Sequence, residues 1–101
     1  WAGAYHFLPE SVRDDATRLL GDTLAVGAAG VGAPGEAEVL RLARSFGAGA
    51  DARLTGTGER LPAASAAFVN GYRTHCLEWD AVHEPAVVHA MSVVTAALGA
   101  A

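Results

Sequence analysis

Val12, Ala16, Leu19, Leu20, Thr23 and Leu24 recur at helical spacing near the start of the chain, and Arg13, Asp14, Arg18 and Asp22 fall mostly off that stripe. The pattern predicts an amphipathic helix that packs by one face. Pro9 suits a first helical turn, and Ser11 with Asp14 three residues on resembles a capping box, so the start is expected between Leu8 and Val12. Gly30, Gly32, Pro34 and Gly35 then break the helix into a loop. A second helix is expected over about 36–46, burying Val39, Leu42, Ala43 and Phe46, with Gly47 as its left-handed stop.

Between Gly47 and Pro62 the period shortens. Arg53-Leu54-Thr55 and Glu59-Arg60-Leu61 alternate on either side of Gly56-Thr57-Gly58, which predicts a small hairpin. The Gly-x-Gly serves the turn: neither a Lys-Ser/Thr pair nor a complete glycine fingerprint for phosphate follows it. Pro62 opens a third helix, expected to run to about Trp79, with Trp79 read as core. Its early residues, Ala63, Ala64, Ser65, Ala66 and Ala67, are small enough for a second backbone to approach closely. Gly71 inside it costs about 1 kcal/mol relative to alanine, which implies close packing or ligand approach there. Pro85 forbids a helix through 81–88 and leaves a loop carrying Asp80, His83 and Glu84. A fourth helix starts near His89 or Ala90 and is apolar on every side apart from Ser92 and Thr95, the pattern of a buried core helix. The fold class is therefore mainly α, helical with one short extended hairpin.

Hydrophobic residues make up 51% of the 101 positions and charged residues 18%, against about a quarter in a typical soluble domain. So short a chain buries only part of its unfolded surface. It opens at Trp1 and ends in the apolar run AMSVVTAALGAA without a helix-ending signal, so it is expected to be a piece of a longer protein. The formal charge is −4, and the seven basic residues are single arginines between Arg13 and Arg73. No patch neutralises phosphates, which argues against nucleic acid. The single Cys76 allows no intrachain disulfide and fits a reducing compartment, the cytoplasm. No run approaches the roughly 20 apolar residues that span a bilayer, and no signal-peptide pattern is present, so a soluble protein without membrane contact is expected.

Titratable groups concentrate over residues 75–89, where His75, His83 and His89 stand with Glu78, Asp80 and Glu84. His75 and Glu78 are spaced i, i+3 and would share a helical face, the carboxylate orienting the imidazole. His89 would stand at the first turn of the next helix, where a helix N-terminus attracts a substrate carboxylate beside a proton-shuttling histidine. Plainer roles compete. His75 suits a hydrogen-bonded core position with Glu78 as structural partner, Glu84 a solvated loop, and Asp80 a loop cap. His and carboxylate at short spacing also suit zinc or iron. The zinc-protease pattern H-E-x-x-H fails, however, because Pro85 follows His83-Glu84 and Val87 stands where the second histidine is required. A Cys76–His75 nucleophile is disfavoured because adjacent helix residues do not face each other.

These residues resemble the MmgE/PrpD family, which includes 2-methylcitrate dehydratase, cis-aconitate decarboxylase and iminodisuccinate epimerase. Leu8-Pro9-Glu10 through Leu19-Leu20-Gly21-Asp22-Thr23-Leu24 to Gly30 is similar to its opening helix, and Leu54-Thr55-Gly56-Thr57-Gly58 with Leu61-Pro62 to its short extended segment. Ala67 to Gly71, His75, Glu78-Trp79-Asp80 and His89 follow the order of its Asn-Gly, its His, its Asp-Phe-Asp-Asp-Thr block and its later His-Pro. Departures fall inside that block. Glu78 replaces an Asp, Ala81 another Asp, Val82 a substrate-binding Thr, and Ala90 the proline.

The resemblance implies a two-domain protein, usually a homodimer, of which residues 1–101 form the incomplete N-terminal part of the helical domain. It implies proton transfer on small di- or tricarboxylic acids by a lyase or isomerase without metal or organic cofactor. His89 is then the acid/base, Glu78 its polar partner and Asp80 a site-shaping carboxylate, with His75, His83, Asn70 and position Val82 facing substrate. The family's catalytic lysine has no counterpart, since this chain contains no lysine. The isolated chain is expected to be inactive. A helical binding or scaffold protein that kept the fold, and a metal-dependent hydrolase, are the alternatives.

Overall fold

The computed structural model describes residues 8–100. In chain order they form α1 (Glu10–Ala29), α2 (Glu36–Ser45), β1 (Ala52–Arg53), β2 (Arg60–Leu61), α3 (Ala63–His75), a single 3-10 turn (Glu84–Ala86) and α4 (Ala90–Leu98). The mainly α class with one antiparallel hairpin is what the residue pattern predicts. Among the described residues no helix is long and apolar enough to cross a membrane.

Helix α3 is the centre of the fold and packs against α1, α2, α4 and both strands. Its small residues make this possible. Ala66 and Ser65 are buried against α2, where the Ser65 hydroxyl donates to the Ala43 carbonyl at 3.1 Å. Ala43, Ala52, Leu54, Leu61, Ala66 and Val69 form the buried core, with Val39 and Leu40 packed on its edge. Close approach continues along α1: a Cβ on Gly27 would lie 3.1 Å from Thr74 Oγ1, and one on Gly30 would overlap the Arg73 carbonyl.

The element starts follow from local chemistry. Pro9 and Pro62 occupy the cap positions of α1 and α3, with φ −51 at each. The Ser11–Asp14 capping box does not form, because α1 already begins at Glu10 and places Ser11 inside the helix. Gly47, at φ 138, follows the end of α2. In the hairpin Ala52 pairs with Leu61 and Arg53 with Arg60, and Gly56 and Gly58 adopt φ 84 and φ 72 in the turn. Only glycine takes such angles without steric cost.

Burial departs from the expected stripes. Thr23 and Gly27 are the buried residues of α1, whereas Val12, Leu19, Leu20 and Leu24 stay exposed. The small residues Gly27 and Gly30 set the approach to α3, and this rotates the leucines outward. In α2, Ala43 is buried but Leu42 and Phe46 are exposed, since Ser65 and Ala66 draw α2 in by its Ala43 face. Phe46 instead rests on Phe68, ring centroids 6.3 Å apart.

Helix α3 ends at His75 rather than near Trp79. The chain reverses over residues 76–80, with Glu78 at φ 54 and its amide donating to the His75 carbonyl at 2.9 Å. That conformation costs a non-glycine residue roughly 1–2 kcal/mol. It is offset by returning Asp80 to the helix end, and it leaves Trp79 exposed rather than in the core. Helix α4 is likewise no apolar core helix. Ser92, Thr95 and Ala96 are buried while Val93, Val94 and Leu98 face outward, because Ser92 is drawn in to bond Asp80.

Candidate active site

The reversal after α3 places one buried carboxylate between two imidazoles. The Asp80 side chain is 0% exposed, that of His75 51% and that of His89 35%. His75 Nδ1 lies 3.1 Å from Asp80 Oδ1 and 3.2 Å from Oδ2, so a proton on Nδ1 is donated to the carboxylate. Ser92, one turn into α4, donates its hydroxyl to Oδ2. His89 caps α4 and brings Nδ1 within 3.1 Å of the same Oδ2. Its alignment there does not make a hydrogen bond, and Nδ1 is a buried nitrogen without a partner. The two rings meet edge to face, centroids 4.7 Å apart.

Burial alone would push the Asp80 carboxyl up. The hydrogen bonds from Ser92 and His75, a backbone N–H and the charge of His75 outweigh it and hold Asp80 below the usual carboxylate range. Asp80 is therefore an anion at neutral pH. Burial pushes the Cys76 thiol up, and nearby Glu36 adds to this against a backbone hydrogen bond, so Cys76 stays a thiol. It donates to the Arg73 carbonyl and is not an activated nucleophile.

Both histidines open onto a cavity of about 560 Å³ between α3 and α4. Its walls are apolar, formed by Ala67, Phe68, Gly71, Val88, Val93, Ala96 and Ala97, and Ser92 joins the histidines at its polar end. A Cβ on Gly71 would lie 3.5 Å from Ala96 Cβ, so this glycine helps shape the gap between the helices. Since His89 Nδ1 is buried towards Asp80, the exposed part of the ring leaves Nε2 as the nitrogen available to a ligand.

Of the residues singled out in the sequence, the structure brings His75, Asp80 and His89 together. Glu78 stands apart. It is exposed beyond the helix end, and the partner of His75 is Asp80, because i, i+3 spacing means nothing once the helix has stopped. His83 and Val82 lie exposed in the loop and line no part of the cavity. His83 spends Nδ1 on the Ala86 amide at 3.3 Å, which caps the 3-10 turn. Asn70 is buried and structural: its Oδ1 accepts from the Thr55 amide at 2.8 Å and its Nδ2 donates to the Arg53 carbonyl at 2.9 Å. It lines a different cavity, shared with Leu20, Leu24, Thr74 and Thr95.

Two features escaped the sequence reading. Ser92 stands three residues after His89 on α4, a spacing that puts both on one face, and this signal was present. The ion pair of Arg73 with Glu36 carried none: it links residues 37 apart, with Arg73 Nε and Nη2 at 2.9 and 2.6 Å from Glu36 Oε1.

No curated protein and no solved structure matches the chain significantly. The family model of the MmgE/PrpD N-terminal domain matches residues 3–101. The chain therefore belongs to the MmgE/PrpD family and corresponds to that family's N-terminal domain.

Proposed function

We propose that this chain supplies the acid/base wall of a lyase or isomerase that moves a proton next to a carboxylate on a small di- or tricarboxylic acid. One observation carries the reading: a buried, ionised Asp80 stands against the Nδ1 edges of two histidines that open onto one cavity. A carboxylate behind an imidazole fixes the ring and stabilises the imidazolium formed when the ring takes a proton. His89 is the acid/base, working through Nε2. His75 is the second imidazole, held by the same carboxylate. The first amides of α4, beside His89, offer N–H groups to a substrate carboxylate.

The reading concerns the full-length protein, because no lysine of the family's kind is present to complete the set. The remaining groups, the second domain and the usual homodimer belong to the same proposal, and the isolated chain is inactive in it. Glu78 is displaced from the site, so Asp80 takes over the carboxylate role that the family pattern assigned to Glu78. Replacing His89 by alanine in the full-length protein removes the proton carrier and lowers kcat on the preferred acid by at least about 100-fold. Wild-type turnover by that variant across a panel of di- and tricarboxylates would remove His89 from the mechanism.

A binding or scaffold protein that kept this fold is the second reading, favoured by the apolar Ala81 and Val82 where the family carries Asp and Thr. Exchange of a substrate α-proton for solvent deuterium by the full-length protein excludes it.

A further inference from the structure

We infer that the acid handled at this site carries an unbranched alkyl substituent of several carbons, which lies in the cavity between α3 and α4. The inference rests on the proton-transfer reading for the acid end of the ligand and adds what the remainder must be. Polar groups occupy one end of the cavity only, where His75, His89 and Ser92 meet over Asp80. From that end α3 runs back to Ala67 and α4 runs on to Ala97. Each is eight residues from its histidine, about 12 Å at 1.5 Å per residue. Along this length every lining residue is small or apolar.

Charge decides what can lie there. Among the described residues no arginine lines the cavity, the chain has no lysine, and Arg73 of α3 is buried against Glu36. A carboxylate placed between Ala67 and Ala97 would lose water and find no partner, whereas a methylene chain gains by leaving water. Phe68, Val88 and Val93 are exposed beside this groove, an apolar surface that a hydrocarbon would cover. The helices close on each other at Gly71 and Ala96, where a Cβ on Gly71 would lie 3.5 Å from Ala96 Cβ. The groove is therefore shallow at its middle and suits a thin, unbranched chain. The occupant must also leave His89 Nε2 reachable, and a substituent on the acid held at that nitrogen does so. A pocket with a few polar groups at one end and apolar walls beyond is the usual form of a small-molecule site.

Binding to the full-length protein tests this without reference to turnover. Succinate and its 2-methyl, 2-ethyl, 2-propyl and 2-butyl derivatives are titrated by calorimetry. Kd is expected to fall about two- to fourfold with each added methylene, and the heat capacity of binding to become more negative along the series. Ala67→Leu and Ala97→Leu, which fill the far end of the groove, flatten that dependence, and Leu42→Ser on α2 leaves it unchanged. A second measurement needs no variant: a 2-alkylsuccinate with a photoreactive diazirine at the chain end labels wild-type protein within 67–71 or 92–97. The inference is overturned if Kd is flat or rises along the series, if no member binds, if the label falls elsewhere, or if folded Ala67→Leu/Ala97→Leu keeps the wild-type dependence. Turnover of these acids with no gain in affinity overturns the alkyl chain and leaves the proton-transfer reading standing. A gain in affinity with no turnover of any member does the reverse.

Discussion

At the scale of single residues, Asp80 decides the character of the site. A loop aspartate usually caps its own following backbone. This one is instead buried beneath His75, His89 and Ser92, and local sequence carries no sign of it, since its partners come from the helix before and the helix after. Because its folded-state pKa is depressed, its contribution to stability is fully present above the unfolded value near 3.8 and is lost as pH falls through the lower folded value. Asp80→Asn removes that ionisation. The difference in unfolding free energy between wild type and Asp80→Asn should therefore be constant from neutral pH down to about 4 with respect to this group, and shrink below that. Denaturation of the two proteins side by side across pH 2.5–7 (roughly the range over which a carboxyl titrates) measures it. A gap that widens as the pH falls would mean that Asp80 is not held as an anion.

At the scale of elements, what could be read in the sequence is what local chemistry determines. Pro9, Pro62, Gly47 and the Gly56–Gly58 turn place the starts, stops and hairpin, because a fixed or positive φ acts within one or two residues. Faces were less legible. A helix apolar on all sides, such as α4, has no pattern to say which side turns inward, and here a buried carboxylate draws Ser92 in and leaves Val93 and Leu98 outside. The same limit hid the end of α3, where His75 must meet a residue beyond the turn. Gly71 tests how the α3–α4 contact is built. An added Cβ would meet Ala96 at 3.5 Å, an ordinary contact, while alanine is favoured over glycine in a helix interior by about 0.8–1 kcal/mol. Gly71→Ala should raise stability by about 0.5–1 kcal/mol in urea denaturation. A loss of stability would show that the two helices sit closer than ordinary packing allows.

At the scale of the whole molecule, the Arg73–Glu36 pair ties three parts of the fold together, and its cost of burial makes it sensitive. Arg73 is 1% exposed and Glu36 8%, and the guanidinium also donates to the Thr55 carbonyl at 2.6 Å and to Thr57 Oγ1 at 3.3 Å. One side chain of α3 thus fixes the first turn of α2 and the loop after β1, and α3 ends two residues later at His75. The position of the site therefore depends on this bond. Taking both charges from water is expensive, so the intact pair adds little over an apolar pair of the same shape, but removing one partner leaves the other uncompensated. Glu36→Leu should cost about 3–5 kcal/mol, a large share of the 5–15 kcal/mol that holds a typical domain folded. The double change Glu36→Leu/Arg73→Met should cost clearly less than the sum of the two single changes, since neither charge is then stranded. A double-mutant cycle by urea denaturation reads the coupling directly. Additive costs would mean that the two side chains are held by their surroundings and not by each other.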